Sequence, residues 1–219
     1  MSNQNHIFSN DTKLRVGTLY CIGKNYADHA KEMGGSTQKD PIVFLKSPQA
    51  YFNESYVFEL PDHSNNVHHE CEMVAVIGKS GRNISEEDAL DHVMGIGVGI
   101  DFTARDIQQD VKDKGHPWTF AKSFYRSSPV STIYLLDEFE SDLFDISLKL
   151  NGKLKQKANT SEMVHSLPHL ISYLSKYFLL EIGDCIFTGT PAGVGPVKMG
   201  DELEVEISGK KGFTLRVVK

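Results

Sequence analysis

The chain has 219 residues, 40% of them hydrophobic and 24% charged, with a net charge of -6. This is ordinary globular composition, long enough for one domain with a sizeable core. The acidic balance, with no basic run beyond Lys210-Lys211, argues against nucleic-acid binding. No apolar run approaches membrane-spanning length, so no membrane association is expected. The three cysteines, Cys21, Cys71 and Cys185, are odd in number and lack metal-ligand spacing. They read as buried reduced thiols, which places the chain in a reducing compartment, the cytoplasm.

Residues 1–13 are polar and are expected to be loose, ahead of a single domain over 14–219. Strands are predicted at 14–22, 42–46, 71–78, 95–101, 130–135, 144–151, 185–188, 202–208 and 213–218. The tail shows clean alternation: Leu203, Val205 and Ile207 against Glu202, Glu204 and Glu206, then Phe213, Leu215 and Val217 after a Gly-containing turn. Four helices are expected. Asn25-x-x-Asp28 opens a short one that Gly34-Gly35 stops, and about two turns is marginal alone, which makes it a candidate lid. Ser85-Glu86-Glu87-Asp88 has capping-box spacing before Ala89, Leu90 and Val93. Thr103-x-x-Asp106 opens a helix closing near Gly115. Pro168 suits a first helical turn before Leu170, Ile171, Leu174, Tyr177 and Phe178. Two Gly-Asp turns, Gly183-Asp184 and Gly200-Asp201, each introduce a strand.

Three acids stand where a fold would normally avoid them: Glu70 and Glu72 in H-H-E-C-E-M-V-A-V-I-G, and Asp101 in G-I-G-V-G-I-D. Residues 73–77 are apolar on both faces, so Glu70 and Glu72 share one face at the entrance of a strand covered on both sides. In the next strand Gly97, Gly99 and Asp101 share a face. Those glycines clear space for a ligand or for another backbone. Carboxylates ~3 Å apart at an effective dielectric of about 20 repel by roughly 5 kcal/mol per pair. A hard divalent cation, Mg2+ or Mn2+, removes that cost. The same spacing also suits a solvated strand end with Asp101 capping the next helix.

Other residues fit around such a centre. His29 and Glu32, at i and i+3, form either a general base oriented by a carboxylate or a surface ion pair beside Asp28 and Lys31. Arg105 and Gln108 share a helix face and suit a carboxylate, or are simply solvated. Lys122 in W-T-F-A-K-S-F and Lys46 after P-I-V-F-L sit among apolar neighbours. Each reads as an anion or enolate contact, or as a snorkelling lysine. T-G-T-P-A-G-V-G-P (188–196) lacks both phosphate-loop signatures and reads as a rigid loop offering backbone N–H groups and the Thr190 hydroxyl. His68 and His69 leave a cupin-like site for a softer metal open.

Together G-K-N-Y-A-D-H-A-K-E-M (23–33), P-I-V-F-L-K (41–46), H-H-E-C-E (68–72), D-F-T-A-R-D-I-Q (101–108), W-T-F-A-K-S-F (118–124) and E-I-G-D-C-I-F-T-G-T-P-A-G-V-G (181–195) resemble the fumarylacetoacetate hydrolase family. The likeness is strongest to its short members, which are acylpyruvate hydrolases that also decarboxylate oxaloacetate. The resemblance implies an α+β, mostly β fold, a mixed β-roll of packed sheets with a few short helices. It implies a homodimer and a small anionic substrate, a dioxo acid or dicarboxylate. It implies Mg2+ or Mn2+ held by Glu70, Glu72 and Asp101, a water-activating His29–Glu32 dyad on a lid, and Lys122, Gln108 and Thr190 around the substrate, with Arg105 and Lys46 beside them. The segment 34–40, which flanks the lid and matches no fixed pattern of the family, is expected to help set substrate size. The expected reaction is hydrolysis of the C3–C4 bond of a 2,4-dioxo acid to pyruvate. The alternatives are isomerisation or tautomerisation of 2-hydroxy-dienoic diacids or oxaloacetate, and non-catalytic, metal-dependent dicarboxylate binding.

Overall fold

The two segments read as buried strands, 71–78 and 95–101, pair at the centre of the largest sheet, and the fold is arranged around them. A computed structural model describes residues 4–32 and 38–219. In chain order the elements begin β1 (Asn5–Ile7), β2 (Lys13–Arg15), β3 (Leu19–Gly23), α1 (Ala27–Glu32), β4 (Ile42–Lys46), β5 (Tyr51–Phe52), β6 (Val57–Glu59), β7 (Val67–His69) and β8 (Cys71–Ile77). They continue β9 (Val93–Ile100), β10 (Thr103–Ala104), α2 (Arg105–Asp113), α3 (Thr119–Lys122), β11 (Ser128–Pro129) and β12 (Tyr134–Leu135). The last are β13 (Asp145–Leu150), β14 (Lys153–Asn159), α4 (Leu167–Tyr177), β15 (Cys185–Phe187), β16 (Gly195–Pro196), β17 (Glu202–Ile207) and β18 (Lys210–Val218).

A six-stranded mixed sheet runs β12-β9-β8-β15-β3-β4, and a five-stranded sheet runs β14-β13-β17-β18-β6. A small sheet runs β10-β7-β16. The fold is therefore the mostly β, packed-sheet architecture with short helices that the sequence led us to expect. β8 shows why its segment is apolar on both faces. Met73, Ala75 and Ile77 enter the main core with Leu148, Val205, Leu215 and the α4 residues Leu170, Ile171 and Leu174. Val74 and Val76 enter a second cluster with Phe8, Tyr51, Val130 and Phe187. Each buried Val or Ile contributes roughly 1.5–3 kcal/mol over exposure, so β8 is held rigidly on both sides. Among the described residues, no helix is long and apolar enough to cross a membrane.

Four expectations need correction. Residues 1–13 are not loose from residue 4 onward: Asn5, His6 and Ile7 pair with Arg15, Leu14 and Lys13. The polar composition conceals two buried anchors, Phe8 and His6, whose ring nitrogens meet Tyr51 Oη at 3.2 Å and the Gly183 carbonyl at 2.9 Å. The Ser85 box makes its cap bond, Asp88 N donating to Ser85 Oγ at 3.2 Å, yet yields only a 3-10 turn over Ala89–His92. Val93 is drawn instead into pairing with Ile77. The helix expected from Thr103 begins at Arg105, because Thr103 and Ala104 pair with His68 and Val67. Its first amide donates to the Asn66 carbonyl at 2.8 Å, so the helix N-terminus is tied there rather than presented to a ligand. The final turn is tighter than the gap at 209–212 left between the predicted strands. Only Ser208 and Gly209 lie between β17 and β18, both at positive φ, as a two-residue hairpin requires. The α4 signals hold, with Pro168 in the first turn and Ser166 Oγ accepting from His169 N.

Candidate active site

The β8–β9 register assembles the acids. Glu72 lies opposite Gly99, and Asp101 N donates to the Glu70 carbonyl at 2.8 Å. Glu70, Glu72 and Asp101 are all buried, and their ligand atoms lie within 4.8 Å of one another. The flanking glycines make room for chain rather than ligand. A Cβ on Gly99 would sit 3.0 Å from the Pro129 carbonyl, and one on Gly97 2.9 Å from Ser131 Oγ. The segment after β11 thus closes onto the sheet and leaves the acids facing the cleft.

Three cations touch this triad. Lys122 Nζ, at the end of α3, lies 2.6 Å from Glu70 Oε2 and 2.5 Å from Asp101 Oδ2. Lys46 Nζ, at the end of β4, lies 2.6 Å from Asp101 Oδ1 and donates to the Ser127 carbonyl at 3.2 Å. Arg105 donates to Glu70 Oε1 at 2.5 Å and to Gln108 Oε1 at 2.6 Å. Neither lysine snorkels to solvent. Burial alone would push the Glu70 carboxyl up, but Lys122 and Arg105 outweigh it and hold it well below the usual range. Burial would likewise lower the Lys122 ammonium, and Asp101 and Glu70 instead raise it.

Glu72 is the exception. Its carboxylate contact is a backbone amide, Gly189 N at 2.7 Å. Burial and the charges of Asp101 and Glu70 push its pKa well above the ordinary value. A buried carboxylate without a cation, beside two others, is what a hard divalent ion would satisfy, and an all-oxygen donor set suits Mg2+ or Mn2+. The residues present therefore fit such an ion. His68 does not join them: its Nε2 faces Asn66 Oδ1 at 3.0 Å, while His69 Nδ1 donates to Gln156 Oε1 at 2.9 Å. The cupin-like arrangement is thus not assembled.

The dyad stands across the cleft. His29 Nδ1 is 3.4 Å from Glu32 Oε2, with the imidazole buried and the carboxylate partly exposed. Burial lowers the His29 pKa, opposed by Glu70 and Glu32. The exposed Lys31–Asp28 contact at 3.2 Å is the ordinary surface pair on the same helix. Loop 188–196 supports both sides of the site: Gly189 N holds Glu72, and Gly193 N donates to Glu32 Oε2 at 3.1 Å. Gly189 and Gly193 have φ of +96° and +97°, which a side chain would strain. Gly34, Gly35 and the rest of 33–37 lie outside the described residues, so the far end of the expected lid does too.

Ile22, His29, Phe44, Glu70, Glu72, Arg105, Gln108, Lys122 and Thr190 line one cleft, as do Gly23, Lys24, Lys112 and Trp118. All ten residues singled out from the sequence meet at or beside this cleft. Thr190 Oγ1, however, donates to the Cys71 carbonyl at 2.8 Å and accepts from Gln156 Nε2 at 2.7 Å. Two supporting residues escaped the sequence reading. Gln156, buried in β14, also accepts from Cys71 N at 3.0 Å and donates to the Pro191 carbonyl at 2.9 Å. Asn25 anchors the start of α1, donating to the Thr188 carbonyl at 2.8 Å and accepting from His165 N at 2.8 Å. Asn25 was legible only as the start of a helix, and Gln156, in the lysine-rich run K-L-K-Q-K, carried no signal.

The model for the fumarylacetoacetate (FAA) hydrolase C-terminal family matches residues 18–218. The human mitochondrial oxaloacetate tautomerase FAHD1 is 45% identical over 202 residues, covering 92% of this chain and 91% of that protein. A fumarylpyruvate hydrolase from Pseudomonas aeruginosa, solved with Mn2+ and pyruvate, superposes with a TM-score of 0.95. It is 35% identical, and the match covers 100% of this chain and 97% of that one. A 2-hydroxyhepta-2,4-diene-1,7-dioate isomerase from Mycobacterium marinum superposes at 0.80 with 33% identity, covering 93% and 75% of the two chains.

Proposed function

Because the chain belongs to the fumarylacetoacetate hydrolase family, we propose that it is a divalent-metal enzyme that enolises small 2-oxo acids, with keto–enol tautomerisation of oxaloacetate as its main reaction. One observation carries the reading: a buried imidazole with a lowered pKa, His29, and a fixed ammonium, Lys122, line the same cleft as the acidic triad. Enolisation needs that pair, a neutral base for the C3 proton and a cation for the oxygen that gains charge. Charge supports it further. Three contacting cations already face three carboxylates, so a divalent ion leaves the site positive and calls for an anionic ligand.

Mg2+ or Mn2+ bound by Glu70, Glu72 and Asp101 supplies Lewis-acid polarisation and a template for the 2-oxo acid. Arg105 and Gln108 hold the 1-carboxylate. Glu32 accepts from His29 Nδ1–H, which leaves Nε2 with the lone pair. His29 Nε2 takes a proton from C3 as the C2–C3 double bond forms, Lys122 stabilises the negative charge on the C2 oxygen, and that oxygen takes up a proton from solvent as the enol leaves, His29 giving its own back to solvent. The reverse step returns the proton to C3. Thr190 and Gln156 fix the floor of the cleft, and Lys46 holds Asp101.

Hydrolysis of acylpyruvates is the second reading, favoured by the support Glu32 receives from Gly193 as well as from His29. There His29 Nε2 takes its proton from water, hydroxide adds at C4, and the C3–C4 bond breaks to the enolate of pyruvate and a carboxylic acid, with His29 returning the proton to C3. Decarboxylation of oxaloacetate, with carbon dioxide leaving, passes through that pyruvate enolate too. The proposal includes one catalytic domain, a homodimer, and a reducing compartment such as the cytoplasm, in keeping with buried free Cys21, Cys71 and Cys185. The test offers oxaloacetate, acylpyruvates and dienoic diacids to the Mg2+- or Mn2+-loaded protein. Metal-dependent acceleration of enol–keto exchange, faster than pyruvate release, is expected. Rapid pyruvate release from acylpyruvates without that acceleration gives the hydrolytic reading precedence, and turnover of none would leave a dicarboxylate binder.

A further inference from the structure

Two cations on the cleft take no part in the contacts described above. Lys24 directly follows β3, with φ of +57°, and Lys112 lies in the last turn of α2. Both line the cleft beside Gln108 and Lys122. Among the described residues the carboxylates of the site pair with Lys46, Arg105 and Lys122, and neither Lys24 nor Lys112 has an ion-pair partner. The Lys112 ammonium instead lies 5.2 Å from the centroid of Trp118. Trp118 in turn packs on Phe44, ring centroids 5.5 Å apart, as an apolar wall of the same cleft.

Their placement relative to the triad is what matters. Arg105, Gln108 and Lys112 follow one another at i, i+3 and i+7, so they share one face of α2. At a rise of 1.5 Å per residue this row is ~10 Å long. It begins at Arg105, in contact with Glu70, and leads along the cleft to Lys112. Lys112 is half-buried. Its pKa is pushed down by burial first, then by the positive charges of Arg105, Lys24 and Lys122. Two cations that line one cleft without an ion-pair partner among the described residues, one of them at the end of a row that starts on an arginine bound to Glu70, describe a place for a second anionic group.

We propose that Lys24 and Lys112 form a subsite for a second carboxylate of the substrate, so that the cleft selects 2-oxo diacids over 2-oxo acids with an uncharged tail. The inference rests on the reading that a 2-oxo acid lies in this cleft with its first carboxylate at Arg105 and Gln108. The carbon chain between the carboxylates then lies along Trp118 and Phe44, which offer no polar partner to compete with either end. A distal carbonyl or alkyl group would leave both ammonium groups without a counter-charge.

Binding, rather than turnover, tests this cleanly. The Mn2+-loaded protein is titrated calorimetrically with pyruvate and with difluoro-oxaloacetate, a diacid that has no C3 proton to lose. The wild type should prefer the diacid by on the order of 10-fold or more, the size of one charge-assisted contact. In the double variant Lys24→Met/Lys112→Met the preference should fall to within about threefold, with Mn2+ affinity retained. Lys112→Arg should keep the preference. A double variant that holds the full preference, or that weakens both ligands equally, overturns the subsite. Failure of the parent reading looks different: the diacid preference would be present and lysine-dependent while oxaloacetate is not turned over.

Discussion

Lys122→Met removes an ammonium that touches two carboxylates of the triad at once, and the consequence for the metal-free protein follows from the geometry. The contacts are 2.6 Å to Glu70 and 2.5 Å to Asp101, with all three side chains buried. Removing one member of a buried pair costs ~3–5 kcal/mol when the other charge is left behind, and this is the upper bound here because Glu70 keeps Arg105 and Asp101 keeps Lys46. A separate estimate agrees. Two carboxylates within 4.8 Å of each other repel by roughly 3.5 kcal/mol at an effective dielectric of about 20. Both figures describe the same loss, so they are not added. In a chain of this length about 1 kcal/mol moves Tm by roughly 2–4 °C, which bounds the fall at ~6–20 °C in the presence of EDTA. Saturating Mn2+ supplies positive charge to the same oxygens, so the gap between variant and wild type should narrow sharply. Thermal melts of both proteins with EDTA and with Mn2+ measure it. An equal fall under both conditions, or none with EDTA, refutes the argument that the triad shares one cation site.

Three further outcomes are expected. His29→Ala should lower turnover by ~10²–10⁴-fold while Mn2+ affinity by calorimetry stays intact. Burial holds the His29 pKa below 6.5, so the acid limb of kcat/KM should lie below that value. Glu32→Gln should move it lower still, since the Glu32 carboxylate raises it; a limb moving upward would contradict the dyad. His6 is held at about 4 by burial, against 6.5 unfolded. The unfolded chain binds that proton first, so stability falls as pH drops from 6.5 towards 4, by about 3 kcal/mol in all, and then levels. Urea titrations at pH 7 and 4.5 should show part of this slope missing in His6→Gln, and an unchanged slope would mean the hairpin anchor is misread. Asn25→Ala should speed amide exchange across Ala27–Glu32, because it unties the start of α1 from Thr188 and His165; unchanged exchange would count against α1 as a lid.

The parts of this molecule legible in the sequence are those whose signal is local. β8 and β17 show their burial directly in apolar runs and alternation, and Pro168 marks the start of α4. The acids of the site stood out because a carboxylate beside a buried strand conflicts with its surroundings unless something compensates it. What was not legible depends on partners distant in sequence. The Ser85 cap and the Thr103 spacing are sound local signals, overridden by strand pairing with Ile77 and with Val67 and His68. The N-terminal hairpin rests on His6, a polar residue buried against Gly183, far along the chain. Gln156 sits in the lysine-rich run K-L-K-Q-K, which reads as solvated edge until β13 pairs beside it. The glycines of β9 were ambiguous between ligand and backbone, and only the chain after Pro129 decides for backbone.

Proton exchange at C3 of oxaloacetate tests the central claim most directly. With Mg2+ or Mn2+ bound, the protein in D2O should exchange that position well above the buffer rate, and EDTA, Glu72→Ala or His29→Ala should each abolish the excess. Exchange no faster than buffer with the metal bound, or a full excess that survives Glu72→Ala, would contradict an enolising centre built on Glu70, Glu72, Asp101 and His29.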